Sequence, residues 1–328
     1  MIGIEVIGIS KNFKDIKAVC DVSFSIDTGE IVGFLGPNGA GKTTTMRILT
    51  TYLKPDKGTA KIKGFDIIDD SKEVRKRIGY VPENAALYEE MSVIEYLEFV
   101  CSLRGISNNQ RKERIKNVID RCGLEEAIQK FVGELSKGYR QRLCLAQALI
   151  HNPEILIFDE PTHGLDPKQI IEIRGLIKEI GREKTIILST HIMQEVTACC
   201  SRVIIINRGE ILATGRPDEL SAQIYGGRVI NVILTKETPT EIQFEFEKIA
   251  SVKNVIKKEH IDGWLYEIVS EKDIETRRAI FEIVRSKNAT LLELTAKKRE
   301  FEDIFLEIIN GQSDPSERKN STEDRENT

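Results

Sequence analysis

The run Gly36-Pro37-Asn38-Gly39-Ala40-Gly41-Lys42-Thr43 limits what this chain can fold into more than any other stretch. It fits the pattern G-x-x-x-x-G-K-[ST] with no residue out of place. Ahead of it, Ile31-Val32-Gly33-Phe34-Leu35 is an apolar run of strand length; behind it, Thr44-Thr45-Met46-Arg47-Ile48-Leu49 continues as a helix. A strand, a glycine turn and a helix in this order bind nucleotide phosphates for physical reasons. Glycines let backbone N–H groups converge on an anion without a Cβ in the way, and the helix start adds the positive end of its dipole. Gly36 through Thr44 are therefore the expected phosphate-binding residues. Lys42 is expected to reach the β- and γ-phosphates and the Thr43 hydroxyl to bind Mg²⁺.

A phosphate loop alone leaves kinase, GTPase, motor and transporter ATPase open. At 328 residues the chain exceeds one ordinary domain, which is ~100 to 200 residues long, so one large or two unequal domains are expected. Its 40% hydrophobic and 30% charged residues suit a globular core. A net charge of -4 and a pI near 5.8 exclude a general attraction to nucleic acid, and no nucleic-acid partner is expected. The six cysteines show no C-x-x-C spacing and read as reduced packing thiols, with Cys199 and Cys200 adjacent in an expected helix. No signal peptide is read at the amino terminus. The longest aliphatic runs, Ile155 to Phe158 and Val203 to Ile206, are strand-length, far below the ~18 residues that cross a bilayer. Any membrane spans have to come from another chain.

Short strands are expected at Ile4 to Ile9 and Val22 to Ile26, flanking a loop that carries Phe13. A further short strand, Ile78 to Val81, ends at Pro82. Ser92 with Glu95 forms a capping box, and Val93, Leu97, Val100 and Cys101 fall on one helical face. A helical insert over about 83–135 follows from this, with a second helix running from after Asn108 to before Gly123. Strand and helix then alternate: helix Gly138 to Ile150, strand Ile155 to Asp159, helix Pro167 to Ile180, strand Thr185 to Ser189. A hairpin of Val203 to Asn207 and Ile211 to Thr214 closes the region. The alternation predicts a largely parallel sheet covered on both faces. A helix and linker from Pro217 to about Gly227 lead to a second module, over 228–310. Its expected order, βαββαβ, is that of a small α+β ferredoxin-like sandwich, followed by a helix with Phe301, Ile304, Phe305 and Ile308 on one stripe. Residues 313–328 contain no apolar side chain, so the tail from 311 is expected to be disordered.

Ile155-Leu156-Ile157-Phe158-Asp159-Glu160 is a buried strand that ends in two carboxylates. Beside a phosphate loop, Asp159 is expected to hold Mg²⁺ and Glu160 to polarise an attacking water. In Leu135-Ser136-Lys137-Gly138-Tyr139-Arg140-Gln141-Arg142, Ser136 caps a helix and Gly138 lets its first N–H groups approach an anion. This stretch resembles the LSGGQ-type signature of ATP-binding-cassette (ABC) ATPases, placed as that family has it, shortly before the second acidic strand. The resemblance extends over residues 1–220. It implies an α/β P-loop core with a helical subdomain, and ATP and Mg²⁺ as ligands.

Further roles follow from the same resemblance. Phe13 looks like the aromatic that stacks on adenine, and Asp166 resembles the loop acid at the dimer interface, while it also suits the N-cap of the helix at Pro167. His191 looks like the switch histidine, which would touch the γ-phosphate and orient water beside Glu160. Glu83, after Tyr80-Val81-Pro82, stands where the family usually has Gln; a carboxylate oxygen can still ligate Mg²⁺. His151, His163 and His260 match no motif position, and no metal-ligand spacing joins them. With Glu83, the Ser136 to Arg142 stretch and the C-terminal module, the chain is most similar to exporter ATPases of the ABC-2 class, and within it to a gliding-motility-associated subgroup. The resemblance implies a dimer that clamps ATP between the phosphate loop of one copy and Ser136 of the other. It also implies membrane-spanning permease subunits on separate chains, and a cytoplasmic place at the inner membrane face. A soluble ABC ATPase acting on a macromolecular partner is the alternative; a small-molecule kinase would leave Ser136 and His191 idle.

Overall fold

The computed structural model describes residues 1–217, 219–220, 228–239, 241–270, 274–297 and 305. The chain divides into two compact units, Met1–Pro217 and Asp218–Thr328.

The first unit opens with two long antiparallel strands, β1 (Ile2–Phe13) and β2 (Ile16–Asp27). Both outrun the short strands expected from the sequence. Irregular steps absorb the extra residues, with Gly8 and Asp21 at φ of 58° and 49°. The ladder thus continues to the pair Phe13↔Ile16, and Phe13 ends a strand where a loop was expected. β4 (Lys57–Ile62) and the two-residue β5 (Phe65–Asp66) complete a sheet of order β2-β1-β4-β5.

The second sheet places five parallel strands side by side: β3 (Ile31–Leu35), β6 (Ile78–Val81), β7 (Ile155–Asp159), β8 (Thr185–Thr190) and β9 (Arg202–Asn207). β10 (Glu210–Gly215) pairs antiparallel to β9 at one edge, giving the order β10-β9-β3-β8-β7-β6. The strands read as unbroken apolar runs because both faces are covered. Ile155, Ile157 and Ile187 join a core with Ile4, Val6 and Ile9 of the first sheet and with Met46 and Ile48. Leu156, Phe158, Ile186 and Leu188 point the other way, into a core with Leu143, Ile173 and Ile177. The connecting helices are α1 (Lys42–Leu49), α2 (Ser71–Arg77), α5 (Lys137–Leu149), α6 (Pro167–Gly181) and α7 (Met193–Cys199). Cys200 falls just past α7 instead of within it.

The helical insert contains α3 (Val93–Leu103) and α4 (Asn108–Cys122), followed by two single 3₁₀ turns. Ser92 and Glu95 cap α3 reciprocally, and Gly123 at φ 62° stops α4. Val93, Leu97, Val100, Ile115 and Ile119 bury their stripe in the Leu156–Phe158 core.

In the second unit the elements run β11 (Arg228–Leu234), α8 (Ile242–Glu247), β12 (Val252–His260), β13 (Gly263–Ser270), α9 (Ile274–Ser286) and β14 (Leu291–Lys297). The sheet is antiparallel throughout, in the order β12-β13-β11-β14. Ile242, Phe246, Ile280 and Val284 of the helices cover Ile230, Val232, Tyr266 and Ile268. Most of the expected linker, the helix around 301–308 apart from Phe305, and the tail over 311–328 lie outside the described residues. Among the described residues, no helix is long and apolar enough to cross a membrane.

Candidate functional site

The site is built at the carboxyl ends of β3, β7 and β8, where the parallel strands release their loops. Gly36 follows β3, and its N–H donates to the Thr190 carbonyl at 3.3 Å; the Gly209 N–H donates to the Ala40 carbonyl at 3.0 Å. The loop is thus pinned to β8 on one side and to the β9–β10 turn on the other. A Cβ at Gly36 would lie 2.3 Å from the Ile206 carbonyl oxygen. One at Gly41, where φ is +103°, would lie 2.4 Å from that of Ala18. Backbone atoms cannot yield as a flexible side chain can, so glycine is required at both positions. Pro37, Asn38 and Gly39 form the outer rim, and Thr43 and Thr44 are half-buried in the first turn of α1.

Lys42 is only 5% exposed. Its ammonium donates to the carbonyls of Gly36 at 2.9 Å and Pro37 at 3.1 Å, and it lies 3.1 Å from Glu160 Oε1. The cation is folded back over its own loop, where phosphate oxygens would otherwise meet it. Thr43 Oγ1 donates to Asp159 Oδ1 at 3.2 Å, and the Ser189 hydroxyl donates to the same oxygen. Asp159 is fully buried, and its Oδ2 has no hydrogen-bond partner among the described residues. Burial pushes its pKa up, the Ser189 and Thr43 hydroxyls oppose this, and the charges of Glu160 and Glu83 add to it. An orphaned carboxylate oxygen beside a threonine hydroxyl is the donor set a hard divalent cation takes. These residues fit Mg²⁺.

Glu160 leaves β7 at φ 48°, a left-handed conformation rare for a residue with a side chain. The turn keeps its N–H on the Ser189 carbonyl at 3.0 Å and turns the carboxylate into the site. Oε1 faces Lys42, while Oε2 lies 3.0 Å from His191 Nδ1 and 3.6 Å from His163 Nδ1. Burial alone would raise the Glu160 pKa, but the charge and hydrogen bond of Lys42 and the contact with His191 override it and hold the pKa below the ordinary glutamate value. With Nδ1–H given to the carboxylate, His191 keeps Nε2 for a ligand.

Glu83 reaches the same place because β6 and β7 pair in parallel, Val81 opposite Phe158. The sequence grouped Glu83 with Thr43 and Asp159 as a Mg²⁺ ligand. The structure places it beside Glu160 and His163, with one ligand atom from each of the three within 4.8 Å of the others. His163, for which the sequence indicated no role, is thereby brought beside two carboxylates. Its partners come from another strand and from its own tight turn, which periodicity does not show. A second residue missed was Glu195, 1% exposed on α7. It accepts from the hydroxyls of Thr162 and Thr190 and lies 3.9 Å from an Arg174 nitrogen. It ties the loop bearing Glu160 and His163 to the one bearing His191. Nothing in the sequence around it signals this.

The remaining candidates lie elsewhere. Ser136 Oγ accepts from the Tyr139 N–H at 3.4 Å and caps α5; Asp166 Oδ1 accepts from the Gln169 N–H at 2.9 Å and caps α6. Ser136, Gly138 and Asp166 line one cavity of about 690 Å³ with Arg142 and Gln169, and no phosphate-loop residue lines it. Phe13 is 46% exposed at the end of the β1–β2 hairpin. The Ala18 carbonyl of that hairpin abuts Gly41.

The profile of the family described as ABC transporter matches residues 19–163. The ABC transporter ATP-binding protein NatA of Bacillus subtilis is 42% identical over 217 residues, covering 64% of this chain and 88% of NatA. The Nod factor export ATP-binding protein I of a Rhizobium species is 33% identical over 312 residues, 94% of this chain and 97% of that protein. Among solved structures, a bacterial ABC transporter cassette named MJ0796, solved as a dimer, superposes with a TM-score of 0.60 at 28% identity, covering 65% of this chain and 98% of that one. The same cassette has a dimeric post-hydrolysis structure bound to ADP and Pi.

Proposed function

The chain belongs to the ATP-binding proteins of ABC transporters, and we propose that its ATP hydrolysis drives an exporter of the ABC-2 class through a dimer closed by ATP. The fold is that of an ABC ATPase, and the enzymatic activity is ATP hydrolysis coupled to transport.

The reading of the site rests on one observation above all. Lys42 and Glu160 form a buried ion pair on the phosphate loop, whereas Ser136, Gly138 and Asp166 share a cavity that no phosphate-loop residue lines. Two half-sites on different surfaces become one site if two copies meet head to tail, so that ATP joins the dimer. The adenine would stack on Phe13 and the phosphates would lie in the loop 36–44. Lys42 would exchange the Glu160 carboxylate for phosphate oxygens. Mg²⁺, held by the Thr43 hydroxyl and Asp159 with Glu83 nearby, would neutralise charge on the β- and γ-phosphates. Glu160, released from Lys42, accepts the proton of the attacking water, and His191 holds the water and the γ-phosphate in line.

Membrane-spanning subunits on separate chains would receive the motion through the segment 83–90, with this chain at the inner face of the membrane. Export is supported by the name of the Nod factor relative. The gliding-motility likeness rests on Glu83, the Ser136 to Arg142 stretch and the second unit alone. For that unit, the strand order β12-β13-β11-β14 supports a ferredoxin-like accessory domain. A structure of Glu160→Gln with Mg-ATP tests the arrangement. Ser136 of each copy should lie against the other's triphosphate; Ser136 remote from nucleotide in every copy overturns the clamp.

A further inference from the structure

Glu83, Glu160 and His163 offer two carboxylates and one imidazole whose ligand atoms all lie within 4.8 Å of one another. We propose that these three side chains form a second metal site, selective for borderline first-row cations of the Zn²⁺ type, which occupies the Glu160 carboxylate and arrests hydrolysis. The inhibitory half of this rests on the reading of Glu160 as the base; the binding half does not.

Three observations carry it. The first is distance. Two donors bound 2.0–2.1 Å from a tetrahedral ion lie about 3.3–3.4 Å apart, and His163 Nδ1 is 3.6 Å from Glu160 Oε2. A shift of a few tenths of an ångström closes that pair on an ion. The second is division of labour on Glu160. Oε1 is engaged by Lys42, but Oε2 faces two imidazoles, His163 and His191, with ring centroids 6.5 Å apart. The third is charge and access. Glu83, Asp159 and Glu160 gather at one end of the sheet, with Lys42 already shared, while His163 is 50% exposed and open to an ion from solution.

The ligand chemistry sets the choice of ion. Mg²⁺ prefers an octahedral shell of oxygens and sheds water reluctantly, so an imidazole nitrogen is a poor donor for it. Zn²⁺ and Co²⁺ accept mixed nitrogen and carboxylate donors and bind more tightly in the Irving–Williams order. A site built with His163 therefore discriminates against the ion held at Thr43 and Asp159. A cation bound to Oε2 would draw charge from the whole carboxylate and leave it too weakly basic to take a proton from water.

Nucleotide-free full-length protein titrated with Co²⁺, followed by displacement with Zn²⁺, tests the site directly. One ion per chain is expected, with the intense visible bands of low-coordinate Co²⁺. His163→Asn and Glu83→Gln should each weaken binding at least about tenfold, since loss of a ligand costs no less than loss of a supporting partner. Unchanged affinity in both variants, or no stoichiometric binding by the wild type, overturns the site. Hydrolysis of Mg-ATP is then measured with and without Zn²⁺. Inhibition in the wild type that is relieved in His163→Asn supports the whole proposal. Stoichiometric Zn²⁺ binding that depends on His163 but leaves the wild-type rate unchanged overturns the inhibitory half and removes Glu160 as the base, with the site itself upheld.

Discussion

The Lys42 ammonium lies 3.1 Å from Glu160 Oε1, so the side chain that should hold phosphate and the one that should activate water neutralise each other. Both are nearly buried, at 5% and 10% exposure, where removing one member of a pair leaves an uncompensated charge. In the proposed cycle, nucleotide entry would exchange this partner for phosphate oxygens, and the base would be released in the same event that loads the substrate.

Lys42→Ala should abolish nucleotide binding, measured by titration with a fluorescent ATP analogue. It should also change how stability depends on pH. The folded pKa of Glu160 is lowered from 4.5, with the Lys42 charge as the chief cause opposing burial. A lowered carboxylate pKa contributes stability that is present above the unfolded value and lost as pH falls through the folded one. Thermal melts of the wild type should therefore lose stability below about pH 4.5, and Lys42→Ala should lose less over that window. Equal slopes would mean that Lys42 does not set the Glu160 pKa.

Glu160→Gln should bind ATP, accumulate as a stable dimer and hydrolyse slowly. A positioned general base contributes roughly 10²–10⁴-fold in rate, and the amide cannot accept a water proton while still filling the same space. Size-exclusion chromatography with Mg-ATP and phosphate release read the two effects separately. A rate within a few-fold of the wild type would remove Glu160 from the chemistry.

The phosphate loop, the acidic strand and the capped helix at Ser136 were legible because each is a local pattern: glycines at fixed offsets, an apolar run with terminal acids, a serine before a helix. Such signals lie within a few residues of the chemistry they serve. What escaped depends on pairing between distant strands. Glu83 meets Glu160 and His163 only through the β6–β7 register, Val81 against Phe158. Glu195 acquires its role from Thr162 and Thr190, on the loops of two different strands. Phe13 was misplaced for a related reason. The irregular steps at Gly8 and Asp21 break the period-two signal while leaving the ladder intact, so β1 is longer than its alternation suggests.

Asp159→Asn should abolish Mg²⁺-dependent hydrolysis while raising the stability of the nucleotide-free protein at neutral pH. Burial raises the Asp159 pKa, and its Oδ2 lacks a partner among the described residues. The ionised form is thus disfavoured in the fold by an amount of about 1–3 kcal/mol. A raised carboxylate pKa means that stability falls as pH rises from the unfolded value to the folded one, so the penalty is complete above the folded value and vanishes only below the unfolded value. The gain from the neutral amide should shrink towards zero as pH falls to the unfolded aspartate range, followed by thermal melts without nucleotide. A variant less stable than wild type at neutral pH would show that the Thr43 and Ser189 hydrogen bonds to the carboxylate outweigh its burial.

Ser136 has two tasks that substitution can separate. Its hydroxyl caps α5 through the Tyr139 N–H, and in the proposed dimer the same helix tip meets the partner's triphosphate. Alanine loses the cap and should cost about 1 kcal/mol of stability, together with ATP-driven dimerisation. Aspartate is as good a cap as serine, so Ser136→Asp should melt at the wild-type temperature. Yet its carboxylate would face phosphate charge across the interface, and like charges at such a distance are strongly unfavourable in a site from which water is excluded. The expected result is a well-folded monomer that binds ATP at its own phosphate loop, fails to dimerise, and hydrolyses at least about a hundredfold more slowly, in line with the removal of one anion-stabilising donor. Sedimentation with Mg-ATP and a phosphate-release assay decide it. If Ser136→Asp dimerises and turns over normally, the helix tip is not at the nucleotide, and the two half-sites have to be completed by something other than a second copy of the chain.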